Sequence, residues 1–155
     1  MLSQRILISK LIFDLPFDWE VFEDRDVTDK YRSISLVTSR GSLVGVEVFE
    51  LTSVERSADI NAYLKRYVAS ALPSDELKAR ANIDFGERKR VGQLGTFVHI
   101  TTQQPSDLNF LIELYQLDHK AQRVLVVFNT PLSDVDSLQS DFDTLLKSLY
   151  IHMVL

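Results

Sequence analysis

Three histidines are the first residues to consider for chemistry near neutral pH. His99 follows Phe97 by two positions and precedes Thr101 by two, so the three share one face of a predicted strand. His119 and His152 stand apart from it and from each other. No two histidines have metal-ligand spacing on one element, and cysteine is absent. The sequence therefore predicts neither a metal centre nor a cofactor.

The sequence contains no recognisable catalytic signature. The five glycines match neither a phosphate loop nor a dinucleotide-binding turn, and no serine lies in a convincing nucleophile motif. The run Glu23-Asp24-Arg25-Asp26 lacks the glycine and the final glutamate of a calcium loop, so we interpret it as a solvated loop. We predict a non-enzyme. The alternative is a small-ligand-binding protein or enzyme with a pocket between sheet and helix near His99.

One basic cluster and several strand aromatics are the candidates for binding a partner. Arg88 and Arg90 flank a lysine in a predicted strand, and alternation places both arginines on one face. This pattern is typical of a solvated strand end, but it also suits docking of an acidic partner. Aromatic side chains left exposed on a sheet would anchor such a partner. We therefore predict a partner-binding set of Phe49, Phe97, Tyr115, Arg88 and Arg90.

Length and composition indicate a single globular domain. The chain has 155 residues, of which 45% are hydrophobic and 25% are charged. A chain of this length buries enough apolar surface to fold without metal or disulfide, so we assign residues 1–155 to one domain. The net charge of −5 disfavours a nucleic-acid binder, which usually presents a basic face. We expect the partner to be another protein.

The first residues do not resemble an export signal. The apolar stretch between Arg5 and Lys10 has three residues, far fewer than a secretory segment needs. No stretch of the sequence approaches the length of a membrane span. We therefore expect a cytoplasmic protein without a membrane span.

Hydrophobic periodicity predicts an α+β fold. Alternating runs predict strands over 5–14, 18–22, 33–38, 43–51, 82–91, 94–102, 108–117 and 124–129. Helical spacing predicts helices over about 57–72 and 133–150, with a further helical turn within 74–80. Short turns between strands favour antiparallel pairing. Apolar side chains at every position from Val124 to Phe128 indicate a strand buried on both faces. We predict an α/β/α sandwich around a mainly antiparallel sheet.

The string Leu15-Pro16-Phe17-Asp18-Trp19 resembles the N-terminal signature of the Mog/PsbP-like superfamily. The order of the predicted elements also fits that superfamily over nearly the whole chain. The resemblance implies an α/β/α sandwich and a binding role, as in Ran-binding transport factors, photosystem II extrinsic subunits, DcrB-like proteins and type VI effector-associated chaperones. No functional residue carries over, because the matched Leu15-Pro16 and Trp19 are structural. We expect Trp19 to be a core anchor beneath the closing helix.

Our leading hypothesis is a non-catalytic cytoplasmic protein-binding module, a secretion chaperone or adaptor of the DcrB-like or type VI branch. Such a module would hold its partner on an exposed apolar face of the sheet. The chain could also form a homodimer. A further alternative is an acidic, immunity-type inhibitor of a toxin, suggested by the acids between Glu23 and Asp29. A sheet covered on both faces would shift binding to an edge or a loop.

Overall fold

A computed structural model describes residues 3–8, 11–16, 18–28, 31–50, 65–66, 69, 74–102, 109–119 and 122–154. A separate antiparallel hairpin opens the chain, with strands β1 (Ser3–Ile8) and β2 (Leu11–Pro16). Seven further strands form one antiparallel sheet. They are β3 (Glu20–Thr28), β4 (Tyr31–Val37), β5 (Leu43–Glu50), β6 (Ala81–Arg90), β7 (Gln93–Thr102), β8 (Phe110–His119) and β9 (Gln122–Pro131).

The order of strands across the sheet is β3-β4-β5-β9-β8-β7-β6, which leaves β3 and β6 at the two edges. Helix α1 (Asp75–Arg80) leads directly into β6. A 3-10 turn (Leu132–Asp134) links β9 to the closing helix α2 (Val135–Val154). No described helix is long and apolar enough to cross a membrane.

The predicted α+β fold is confirmed in its main features, a mostly antiparallel sheet with a packed C-terminal helix. The predicted strand 5–14 is two strands, and the closing helix begins at Val135 because residues 132–134 form the 3-10 turn. The predicted helix 57–72 lies mostly outside the described residues, although Lys65, Arg66 and Ala69 are helical.

The acidic run that we interpreted as a loop belongs to a strand. Residues Glu23 to Asp26 lie within β3 and pair with β4. The loop interpretation was wrong because an edge strand that is exposed on both faces needs no apolar alternation.

Helix α2 covers one side of the sheet, which we call the helix face. It packs on β2 and on the helix face of β8 and β9. The ring of Trp19 meets that of Phe142 edge-on, with centroids 6.0 Å apart, and Trp19 is buried as predicted. The backbone N–H of Asp14 donates a hydrogen bond to Oγ of Ser148 at 2.7 Å. The opening hairpin and the closing helix therefore share one core.

The other side of the sheet, which we call the opposite face, carries a second buried apolar cluster. Strand β9 contributes to both cores, with Val124, Val126 and Phe128 in one and Leu125 and Val127 in the other. The prediction that this strand is buried on both faces is confirmed. Because the apolar clusters on both faces are buried, the described part of the sheet presents no open apolar face to a client, and the edges become the surfaces to consider.

Candidate interaction surface

Four of the five predicted partner-binding residues lie on the helix face, at the β6 edge of the sheet. Arg88 pairs with Gly95 across β6 and β7, and Gly95 pairs in turn with Tyr115 on β8. Phe97 lies in the adjacent row. Arg90 follows Arg88 by two positions and points the same way, as alternation predicted.

Two glycines allow the aromatic rings of this region to lie across the neighbouring strand. A Cβ atom on Gly86 would come within 2.5 Å of Cζ of Phe97. A Cβ atom on Gly95 would collide with the ring of Tyr115. The two glycines therefore let Phe97 and Tyr115 pack flat against the strand next to their own.

Arg90 is the centre of a buried polar cluster joining β6, β8 and α2. Its Nη2 donates to both carboxylate oxygens of Glu113, at 3.1 and 3.0 Å, and to Oε1 of Gln139 at 2.6 Å. Its Nη1 donates to Oδ1 of Asp143 at 2.8 Å. The hydroxyl of Tyr115 donates to Oε1 of Glu113 at 3.0 Å. The side chain of Arg90 is only 3% exposed.

Aromatic rings enclose the same guanidinium. Its central carbon lies 5.9 Å from the ring centroid of Phe128 and 5.7 Å from that of Phe142. Those two rings stack on each other with centroids 4.1 Å apart. The flat, weakly hydrated guanidinium suits such a site better than an ammonium would, because it can be stacked on rings and hydrogen-bonded at its edge at once.

The charges within the cluster balance. Arg88 and Arg90 provide two cations, and Glu113 and Asp143 provide two anions. Burial by itself would lower the pKa of Arg90, but the hydrogen bond to Asp143 and the charge of Glu113 outweigh it and raise that pKa. Removal of Arg90 or Glu113 would deprive the other of its buried counter-ion, which is costly in protein interiors.

Tyr115 is buried inside the cluster and its ionisation is suppressed. Burial raises the pKa of Tyr115 to about 12, and the negative charge of Glu113 acts in the same direction. At neutral pH the phenol is therefore a neutral hydrogen-bond donor to Glu113.

The five predicted residues differ in their access to a partner. Arg88 has a side chain that is 40% exposed, and Phe97 is half-buried. Arg90 and Tyr115 are buried in the cluster. Phe49 is buried on the opposite face, where its ring lies 4.5 Å from that of Tyr31. In this structure the three buried residues pack the fold, and a direct partner contact by any of the five stays a prediction.

Sequence reasoning missed Glu113, Gln139 and Asp143, which hold Arg90 in place. One signal was available. Glu113 is the single acid in the apolar stretch Leu111-Ile112-Glu113-Leu114, and an acid at such a position requires a buried partner. The two helix residues carry no comparable signal, because polar residues are common on amphipathic helices.

His99 lies on the helix face, in β7. It pairs with Asp84 on one side and Leu111 on the other. Its Nε2 atom is buried and has no hydrogen-bond partner among the described residues. Across the described ranges no three histidine or acidic side chains are grouped to hold a metal ion.

Comparison with known proteins finds similarity in structure only. No family model matches the chain, and no curated protein sequence does. The cyanobacterial PsbP protein CyanoP from Synechocystis sp. PCC 6803 aligns over 94% of this chain and 90% of its own, with 15% identity and a TM-score of 0.53. A point mutant of the protein Mog1 aligns over 99% and 94%, with 15% identity and a TM-score of 0.46. The Ran-binding protein Mog1p of Saccharomyces cerevisiae aligns over 99% and 93%, with 14% identity and a TM-score of 0.44.

The alignment with CyanoP establishes the fold. The resemblance to the Mog/PsbP-like superfamily, predicted from the Leu15-Pro16 and Trp19 signature, is therefore confirmed at that level. At 15% identity the fold says nothing about activity or partner. Assignment to the DcrB-like or type VI branch stays a prediction.

Replacement of Arg90 by lysine tests whether the cluster needs the several donors of a guanidinium or only a positive charge. Lysine keeps the charge, but a single ammonium cannot serve Glu113, Gln139 and Asp143 together. We expect Arg90→Lys to lower the free energy of unfolding by about 2 kcal/mol, measured by urea denaturation. The matched variant Arg88→Lys alters a half-exposed side chain and should cost less than about 0.5 kcal/mol. Equal costs for the two variants would contradict the central role of Arg90.

The raised pKa of Tyr115 predicts a loss of stability in alkaline solution. Between pH about 10 and about 12 the folded protein keeps the phenolic proton while the unfolded chain releases it, so rising pH favours unfolding. We expect Tyr115→Phe to remove this part of the pH dependence, measured as the free energy of unfolding against pH. Tyr150→Phe, at an exposed tyrosine, is the control and should retain it. The same slope in both variants would show that Tyr115 titrates normally.

Proposed function

We propose that this chain is a non-catalytic protein-binding module whose partner docks on the helix face of β6 and β7, beside α2. We call this surface the Arg88 strip and define it by Asp84, Arg88, Phe97 and His99. The observation that carries the proposal is the partly exposed guanidinium of Arg88, held in place by the buried carboxylate of Glu113 and the half-buried amide of Gln139.

Two contacts fix Arg88. Its Nη2 donates to Oε1 of Gln139 at 3.1 Å, and its Nε lies 3.3 Å from Oε1 of Glu113. Both of these partners are bound in turn by Arg90. A cation held in this way loses little side-chain freedom when a partner binds, and arginine is among the residues that contribute most at protein interfaces.

The half-buried ring of Phe97 supplies apolar surface in the next row of the strip. An interface of this kind combines an anchoring cation with an aromatic side chain and a polar surround. A partner that presents a carboxylate or a free backbone carbonyl to Arg88 would be complementary. This mode uses the edge region, as expected for a sheet whose apolar clusters are buried on both faces.

The finer hypothesis, a cytoplasmic secretion adaptor, rests on the resemblance of the sequence and stays a prediction. A chaperone that shelters a client on an open apolar sheet face fits less well, because both apolar clusters are buried. A small-ligand site near His99 is the second candidate function, since the buried Nε2 of that residue has no hydrogen-bond partner among the described residues. A homodimer stays a prediction.

Neighbouring cations on opposite faces of β6 provide a matched test. Arg88→Ala removes a cation from the strip, whereas Lys89→Ala removes an exposed cation from the opposite face. We expect a protein captured from the source cells by the wild-type chain to bind Arg88→Ala about tenfold more weakly, a difference of about 1.4 kcal/mol. Lys89→Ala should bind as the wild type does, measured by titration of the purified partner.

Both variants must remain folded for the comparison to be informative, so their urea unfolding midpoints are measured alongside. Equal binding by wild type and Arg88→Ala would contradict the Arg88 strip. Failure to enrich any protein above an unrelated bait would contradict the binding function itself.

A further inference from the structure

Strand β3 is an edge whose outer side carries no described strand. It is the terminal strand of the sheet, and its only neighbour in the described order is β4. Every residue from 20 to 27 is exposed. An edge strand of this kind presents backbone N–H and C=O groups in a row, which another extended segment can pair with.

Three apolar side chains on this edge are open to solvent. Phe22 is 70% exposed, and Val21 and Val27 are exposed as well. Phe22 lies at a register shift between Val21 and Glu23, where the strand departs from regular pairing with β4. Bulges and charges protect edges against unwanted pairing. Such protection accounts for the acids but not for an exposed phenylalanine between them.

Strand β3 carries a strong excess of negative charge. Four acids, Glu20, Glu23, Asp24 and Asp26, stand against the single cation Arg25. Arg32 on β4 neutralises Asp24 through two hydrogen bonds of 2.7 Å, and it lies 3.8 Å from Asp26. Within the described ranges, Glu20 and Glu23 form no ion pair.

The negative surface continues past the start of the strand. Asp141 on α2 has a raised pKa, first because it is partly buried and second because the charge of Asp18 acts on it. Like charges held close together favour an approaching cation.

We propose, on the basis of the protein-binding function above, that β3 docks an extended basic segment of another protein as an added strand. The segment pairs its backbone with the outer edge of β3. Its lysine or arginine side chains face Glu20 and Glu23, which the register with β4 places on one face of the strand, and an apolar side chain covers Phe22.

Charge complementarity selects this occupant over the alternatives. A second copy pairing β3 with β3 would place acids against acids, which is destabilising. The β6 edge of a second copy carries two exposed acids of its own, Asp84 and Glu87, which would oppose pairing with the acids of β3. A nucleic acid would be repelled by the same acids.

A short capped peptide that alternates lysine with valine is the probe. We expect it to bind the wild-type chain in calorimetric titration and to slow hydrogen exchange at backbone amides of β3. Phe22→Ser, and separately the double variant Glu20→Gln with Glu23→Gln, should each weaken binding about tenfold. The same peptide with alternate backbone nitrogens methylated keeps its charges but loses strand pairing, and it should bind about tenfold more weakly.

Matched controls lie on the other edge of the sheet. Phe85 on β6 is 61% exposed, and Glu87 is an exposed acid on the same strand. Phe85→Ser and Glu87→Gln should bind the peptide as the wild type does. These controls separate recognition by β3 from general attraction between a basic peptide and an acidic protein.

Several results would overturn the assignment. Equal binding of the methylated peptide would show attraction by charge without an added strand. Equal loss in the β6 variants would remove the specificity for β3. Self-association of the wild type that Phe22→Ser abolishes would make a second copy the occupant. The Arg88 strip is tested separately, since Arg88→Ala should leave peptide binding unchanged, so either proposal can fail alone.

Discussion

Arg90 is a cation enclosed by protein on nearly every side, and the arrangement of the β6 edge depends on how that charge is satisfied. An isolated buried charge is too costly to persist, so the guanidinium requires anions and acceptors at fixed positions. Glu113 on β8 and Asp143 on α2 supply the anions, and Gln139 supplies a further acceptor. Meeting these requirements together ties an edge strand, an inner strand and the closing helix to one another.

The same constraint determines which surfaces remain for binding. Helix α2 lies over β8 and β9, and a second apolar cluster is buried on the opposite face, so the main apolar clusters of the described sheet are covered on both sides. The two edges of the sheet therefore remain available for binding a partner, and their side chains differ in chemistry. The β6 edge presents Arg88, the more exposed cation of a cluster whose charges balance, whereas the β3 edge presents acids with exposed Phe22 among them. A module of this shape is suited to binding at two separate edges.

Local patterns predicted much of this arrangement. Consecutive apolar residues from Val124 to Phe128 predicted a strand buried on both faces, and alternation placed Arg88 and Arg90 on one face. Burial of Arg90 was beyond such reasoning. Its partners Glu113 and Asp143 lie 23 and 53 residues further along the chain, and periodicity within a strand carries no information about them. The acids of β3 were assigned to a loop because an exposed edge strand lacks the alternation by which strands are recognised.

A double-mutant cycle between Arg90 and Glu113 tests the central claim most directly. The free energy of unfolding is measured for wild type, Arg90→Met, Glu113→Gln and the double variant. Each single change removes the buried counter-ion of the remaining member and should cost about 3 kcal/mol, whereas the double change should cost at least about 2 kcal/mol less than their sum. Costs that add to within about 0.5 kcal/mol would show that the two side chains do not act as a unit. Arg90 would then not be the interaction that joins the β6 edge to the helix.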